Sequence, residues 1–450
     1  MATEAPTGKS LRQTKIQEKT LMSQKPSGFF RFGTQIFREI GIRKMGYQEK
    51  LQSNVHRTLL LGFFQVFLVI MPVAVPFFQS KGLSMQEVFS LQALFGLVVL
   101  ITEVPSGYFA DLLGRKNTLV VGAIIAALGH SALLMAEGFW TLAIFEICLG
   151  ISHSLISGAD LALLYDTELA LGQPEEKQRQ VVGKLYSART ASEAVAAVIC
   201  TVVMFYASFE ALVWVQVLVG WIPVLLVLRI VEPPGRRISN ESHSENMARI
   251  LRYLATHSNV LRLVIAALSI WSLTTFYAVW LIQKVWEDQG IDLAHFGWLW
   301  GALTLLAALA GRWAHKFEEL VGSKGVLLFI GLSPAVGYLG MEAWGLVGGL
   351  IASSTFFLAR GFGLVILRDA LNSRVPSEFR ATANSLASFG FRGAFVLTGP
   401  VVGYVFDIWG MAVTLSMLIV VTLVIFATLI VPLISAVKTD ETAQVEVASG

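Results

Sequence analysis

Glu146, His153 and Asp160 recur at intervals of seven inside one of the most apolar stretches of the chain, and Arg189 and Glu193 stand four apart in the next one. On a helix those intervals put each set on a single face, with residues seven apart separated by about 10.5 Å along the axis. Carboxyl and imidazole groups in apolar surroundings are the side chains able to carry a proton, so Glu146, His153, Asp160 and Glu193 are candidates for proton coupling, with Arg189 grouped with them as their charged neighbour. Arg360 and Arg392 lie in later apolar stretches. A guanidinium keeps its charge and offers a forked donor, which suits it to hold a carboxylate or another anionic group. Gln65, beside Pro72 and Pro76, and the aromatic Trp271 and Tyr277 complete a candidate solute-binding set. Each group also has a plainer reading. Arg360 could pair structurally with Asp160 or Glu193, the acids could be buried polar packing, and the aromatics could be packing residues.

These residues need elements that keep them out of lipid. The chain has 450 residues, of which 55% are hydrophobic and 14% charged, with a mean hydropathy of +0.65, too little polar surface to coat a soluble globule. Runs of about 20 apolar residues recur, and twelve can be placed between residues 58 and 436. The expected fold is therefore all-α, a polytopic membrane protein with twelve transmembrane helices. The widest polar connection, 232–261, opens with Glu232-Pro233-Pro234-Gly235 and divides the spans into two six-helix halves, 57–231 and 262–436. Residues 1–56 form a basic amino-terminal segment and 437–450 a tail. Phe29 to Met45 could lie along the bilayer as an interfacial helix or serve as an ordinary basic leader, and no signal-peptide core precedes the first span. Bases such as Arg115, Lys116, Lys177, Arg236, Lys324 and Arg380 fall in loops on the side of the amino terminus, while Glu137, Glu287, Asp292 and Asp407 fall on the other. That asymmetry predicts cytoplasmic termini. The net charge of +3 follows from topology and does not point to nucleic acid. Cys148 and Cys200 both fall in predicted spans and support neither a disulfide nor a metal site. No phosphate-binding loop is present, so ATP hydrolysis, and enzymatic activity generally, is not expected.

Between the second and third spans the chain reads Gly107-Tyr108-Phe109-Ala110-Asp111-Leu112-Leu113-Gly114-Arg115-Lys116. With twelve spans and a long central loop, this resembles the major facilitator superfamily over about residues 57 to 436. The resemblance implies a cytoplasmic gate in which Gly107 permits close helix packing, Asp111 caps or pairs across the halves, and Gly114, Arg115 and Lys116 hold the loop, braced by Glu103. Asp111 would face Arg380 at the start of span eleven. The matching loop of the second half is degenerate, with Gly311, His315, Gly322 and Lys324. Two departures lower the weight of multidrug efflux: Glu146 stands before Gly150 where the family often has arginine, and span five lacks the antiporters' glycine-rich stretch. The segments Glu103 to Gly107 and Ser157 to Asp166 are similar to a bacterial branch of the family. The resemblance implies alternating access about a cavity lined by spans one, four, seven and ten, with the acids of one half opposite an arginine of the other. The expected protein is a monomeric secondary transporter of the bacterial inner membrane, without a cofactor, whose partners are a small organic solute, anionic or zwitterionic, together with protons and the lipid bilayer. Two alternatives stand beside it: a drug or metabolite efflux antiporter and, in another class, a receptor or scaffold that no longer transports.

Overall fold

The computed structural model describes residues 46–234, 243–343 and 345–437. The expected interfacial helix over Phe29 to Met45 lies outside the described residues. Two units separate, one ending at Lys50 and one running from Leu51 to the carboxyl terminus, and the second carries everything that follows. Its described residues form helices and no strand. In hydrocarbon every backbone N–H and C=O has to be satisfied within its own segment, which a helix does.

The first span is broken into α1 (Tyr47–Gln65), one turn at Met71–Val73, and α2 (Ala74–Ser80). Pro72 and Pro76 lack the N–H that a continuous helix needs. Two fully buried amides repair the gap. Gln216 accepts from Val69 N at 2.8 Å and donates to Phe67 O at 3.2 Å. Gln283 accepts from Val75 N at 2.9 Å and donates to Met71 O at 3.1 Å. There follow α3 (Met85–Leu113), α4 (Arg115–Ala132), α5 (Phe139–Ala170) and α6 (Glu175–Tyr206), then α7 (Phe209–Gly220) with α8 (Ile222–Leu228). After the central connection come α9 (His243–Thr256) and α10 (Asn259–Ala266), joined through a π turn at Ala267–Trp271 to α11 (Ser272–Asp288). The remainder is α12 (Leu293–Arg312), α13 (Ala314–Ala343), α14 (Gly345–Ser373) and α15 (Arg380–Ile425).

Ten helical segments are long and apolar enough to cross a membrane. The last, Arg380–Val437, holds a non-helical Gly410 with φ 78° and so comprises two segments. The broken first segment, whose α1 carries Glu49, Lys50 and Arg57, is not among the ten. Those two features account for the difference from the twelve spans expected. The loop between spans two and three is shorter than its motif suggests, since α3 is helical through Leu113 and the turn is Gly114 alone, at φ 83°. In the corresponding later loop, α13 begins at Ala314 and bends at Gly322, φ 73°.

Successive helices run to opposite ends of the fold, a basic end with Arg115, Arg229 and Arg380 and an acidic end with Glu137, Asp292 and Asp407. The hydrophobic cores distinguish these ends. At the acidic end one continuous core joins helices before the central connection (Phe77, Phe89, Phe145, Leu212) to helices after it (Trp280, Phe296, Phe356, Phe395). At the basic end the cores stay separate. Leu61, Leu119, Ile156 and Ile230 form one, Leu164, Val181 and Leu185 another, and Leu261, Val326, Leu367 and Leu433 a third. Among the described residues, one apolar core thus joins the two sets of helices at the acidic end and none does at the basic end. The α9 helix buries Ile250 and Leu254 in that third core, and Tyr253 meets Phe379 edge-on at 5.3 Å.

Candidate functional site

A cavity of about 490 Å³ lies at mid-depth. The earlier helices supply Gln65, His153 and Glu193, and the later ones Phe276, Trp300 and Arg360. His153 stands edge-on to Phe95 of α3 with ring centroids 5.9 Å apart. Glu193 on α6 and Arg360 on α14 interact electrostatically across the cavity. Arg360 reaches this position because α14 packs tightly on α12: a Cβ at the next residue, Gly361, would lie 2.4 Å from Ala307 O. Only glycine permits that approach.

A second cavity of about 560 Å³ continues toward the basic end and shares Arg360 and Phe276 with the first. Arg360 and Phe276 therefore stand where the walls of the two cavities meet. This vestibule is polar, with Arg368, Arg392, Asn372 and Asn384 in its wall. The π turn before α11 brings Ser272 and Thr275 to the same wall. Arg392 lies 6.0 Å from the Phe95 ring centroid and feels the charge of Glu103.

Other residues singled out from the sequence sit elsewhere. Asp160 and Arg189 line neither cavity. Instead they form an ion pair at 2.6 Å with the Asp160 side chain fully buried, and Gln65 Oε1 accepts a longer bond from Arg189 Nη2 at 3.4 Å. Glu146, on the same helix face, is buried outside both cavities and accepts from Gln92 Nε2 at 2.8 Å. Tyr277 is packed between Phe89 and Phe395, its Oη 2.6 Å from Thr398 Oγ1, and faces neither cavity. Trp271 borders the vestibule but is almost wholly buried, donating Nε1 to Ile330 O at 3.0 Å. In this conformation Glu146, Asp160, Arg189 and Tyr277 thus line neither cavity, where proton coupling and solute binding were expected of them. The physical reason is that helical periodicity reports depth and face, while packing decides which neighbour the face meets. Sequence reasoning did not single out Trp300 and Thr304 on α12 or Arg368 on α14. The four-residue repeat Arg360, Leu364, Arg368, Asn372 was the available signal.

The gate-loop residues have definite partners. Arg115 bridges to Asp166 at 2.9 Å. Glu232 caps α4, which has no side-chain cap of its own: its two carboxylate oxygens accept from Arg115 N at 2.9 Å and Lys116 N at 2.7 Å. Asn54 fixes the approach by exchanging bonds of 2.7 and 3.0 Å with the Val231 backbone. Gly107 is exposed, with open space where a Cβ would be, so it makes no close packing in this conformation. The Asp111 side chain lies outside the described residues, and Arg380 donates to Asn372 O at 2.8 Å, within its own loop. Because a carboxylate at a helix amino terminus satisfies orphan N–H groups and the macrodipole, Glu232→Ala is expected to cost about 1 kcal/mol. A lowered melting midpoint of the purified protein, partly restored by Glu232→Gln, checks this.

Residues 58–389 match the family described as the Major Facilitator Superfamily. The chain belongs to that superfamily. Among solved structures, the inward-facing, unoccupied form of a bacterial homolog to the human lysosomal transporter Spinster superposes with a TM-score of 0.69 at 14% identity, covering 88% of this chain and 98% of that one. The nucleoside transporter NupG superposes with a TM-score of 0.67 at 12% identity, covering 86% and 99%. Both likenesses concern the fold. A probable sugar efflux transporter of Haemophilus influenzae (strain 86-028NP) is 27% identical over 142 residues, 30% of this chain. The chain spans only 34% of that relative's length. As a member of the superfamily, with ten helical segments long and apolar enough to cross a membrane, the protein is a multi-pass membrane protein.

Proposed function

We propose that this superfamily member carries a small organic solute by alternating access between two six-helix halves, 57–231 and 262–436, and that protons drive it. The observation behind this reading is that Glu193 and Arg360, oppositely charged and one from each half, line the same mid-depth cavity together with His153. An ionisable group in hydrocarbon costs about 3 kcal/mol or more, so three such groups around one cavity indicate a working site. In the proposed cycle a proton on Glu193 releases Arg360 to hold the solute, and loss of the proton restores the acid–base pair and expels it. The end without a joining core carries the basic loops, which by the positive-inside rule face the cytoplasm of a bacterial inner membrane. The conformation is then the inward-open one. The partial match to a sugar efflux protein favours export of a sugar-like solute as the second reading. A scaffold that no longer transports would have no use for charges at mid-depth.

Flux into proteoliposomes under an imposed pH gradient tests this. Accumulation should follow the gradient, and Glu193→Gln should abolish gradient-driven accumulation while leaving solute exchange at equilibrium. Gradient-independent flux in the unaltered protein would remove proton coupling.

A further inference from the structure

The vestibule wall holds three guanidinium groups, Arg360, Arg368 and Arg392, and no carboxylate. Arg360 and Arg368 lie on one face of α14 and act on each other electrostatically, as like charges. Arg368 makes no ion pair among the described residues. Two buried polar atoms of the wall, Arg392 Nε and Ser272 Oγ, have no hydrogen-bond partner in the protein. Like charges in one cavity wall, beside buried donors left unpartnered, favour an occupant that supplies acceptors and negative charge. The nearest acids stand outside this wall, with Glu103 close enough to act on Arg392 and Glu193 on Arg360.

We infer that the vestibule is a binding site for an organic dianion, a dicarboxylate or a phosphomonoester, held between Arg360 and Arg368. This rests on the transport reading: once Glu193 carries a proton, Arg360 and Arg368 present two uncompensated charges to an incoming solute. A single negative charge leaves one of them unmatched, and a neutral solute leaves both. Arg368 lies nearer the open end and makes the first contact. Arg360, at the junction of the two cavities, draws the solute to mid-depth. The Phe276 and Phe391 rings, edge-to-face at 5.2 Å in the same wall, cover the carbon body between the anionic groups.

Isothermal titration of the purified full chain in detergent with succinate, glucose 6-phosphate, acetate and glucose tests the site. At least one dianion should bind about tenfold or more tightly than acetate or glucose, and its affinity should fall as salt rises. Arg368→Gln should lose about tenfold and Arg368→Lys should keep most of the affinity. Because Arg368 is exposed, neither substitution burdens the fold. The succinate and glucose 6-phosphate arms separate carboxylate from phosphate recognition. Equal binding of glucose or acetate, no heat from either dianion, or unchanged affinity in Arg368→Gln would overturn the assignment. Dianions that bind but are not carried into proteoliposomes would uphold the site and remove the carrier reading. Glucose carried while the dianions neither bind nor cross would do the reverse.

Discussion

Asp160→Ala is expected to destabilise the protein by about 3 kcal/mol, because it leaves a guanidinium in the bundle interior without its counter-ion. The Asp160 side chain is fully buried, whereas that of Arg189 keeps 21% exposure, which places the cost at the low end of the range for broken buried pairs. Gln65 offers Arg189 only its 3.4 Å bond as a replacement. Removing both charges should cost much less than removing one. Asp160→Ala combined with Arg189→Met should therefore recover most of the melting midpoint lost by Asp160→Ala alone. The measurement is thermal unfolding of purified protein in one detergent, with the parent, the single variant and the double variant side by side. A single variant that melts like the parent would mean that the pair is not a brace, and would return Asp160 to the candidates for proton coupling.

Closure of the acidic end depends on a small contact between α3 and α15. The Asp407 carboxylate accepts from Met85 N at 3.0 Å and Gln86 N at 2.8 Å, adding to the cap that Ser84 and Glu87 already provide. One turn earlier Gly403 lets the backbones touch: a Cβ there would lie 2.5 Å from Gln86 Cα and 2.6 Å from Met85 O. Hydrogen bonds to a charged group contribute about 1.5–3 kcal/mol each, at the lower end where water reaches them. Asp407→Ala should therefore shift the balance toward opening at this end by about tenfold or more, and Gly403→Leu should wedge the helices apart outright. With Cys148 and Cys200 replaced by Ala, a lone cysteine at Thr304 reports access to the mid-depth cavity. Its reaction with a membrane-impermeant maleimide applied from the acidic side should accelerate in both variants. Unchanged labelling would show that the apolar core alone holds this end shut.

The two predictions mark where sequence reading stopped. The Asp160–Arg189 pair was visible as a matter of depth, since counting along two spans brings the residues level. Whether Asp160 met Arg189 or Arg360 stayed open, because depth leaves rotation about the helix axis undetermined. Asp407 was legible only as one acid of an outward loop. Its partners are backbone N–H groups more than 300 residues away, which no local pattern encodes. Glu232 looked like a helix stop before two prolines and proves to cap a helix that begins at Arg115.

What the amino-acid order settled by itself was the membrane-spanning helical fold and the superfamily. These are local properties: the free energy of placing apolar side chains in lipid and the need to satisfy each backbone group within its segment act residue by residue along one helix. Only the tertiary structure decided which ionisable groups line the cavities, that Glu193 rather than Asp160 shares one with Arg360, and at which end a single core joins the two sets of helices. Those outcomes depend on how helices distant in sequence pack side by side. That packing is a balance of many small contacts whose pairing no single stretch of the chain contains.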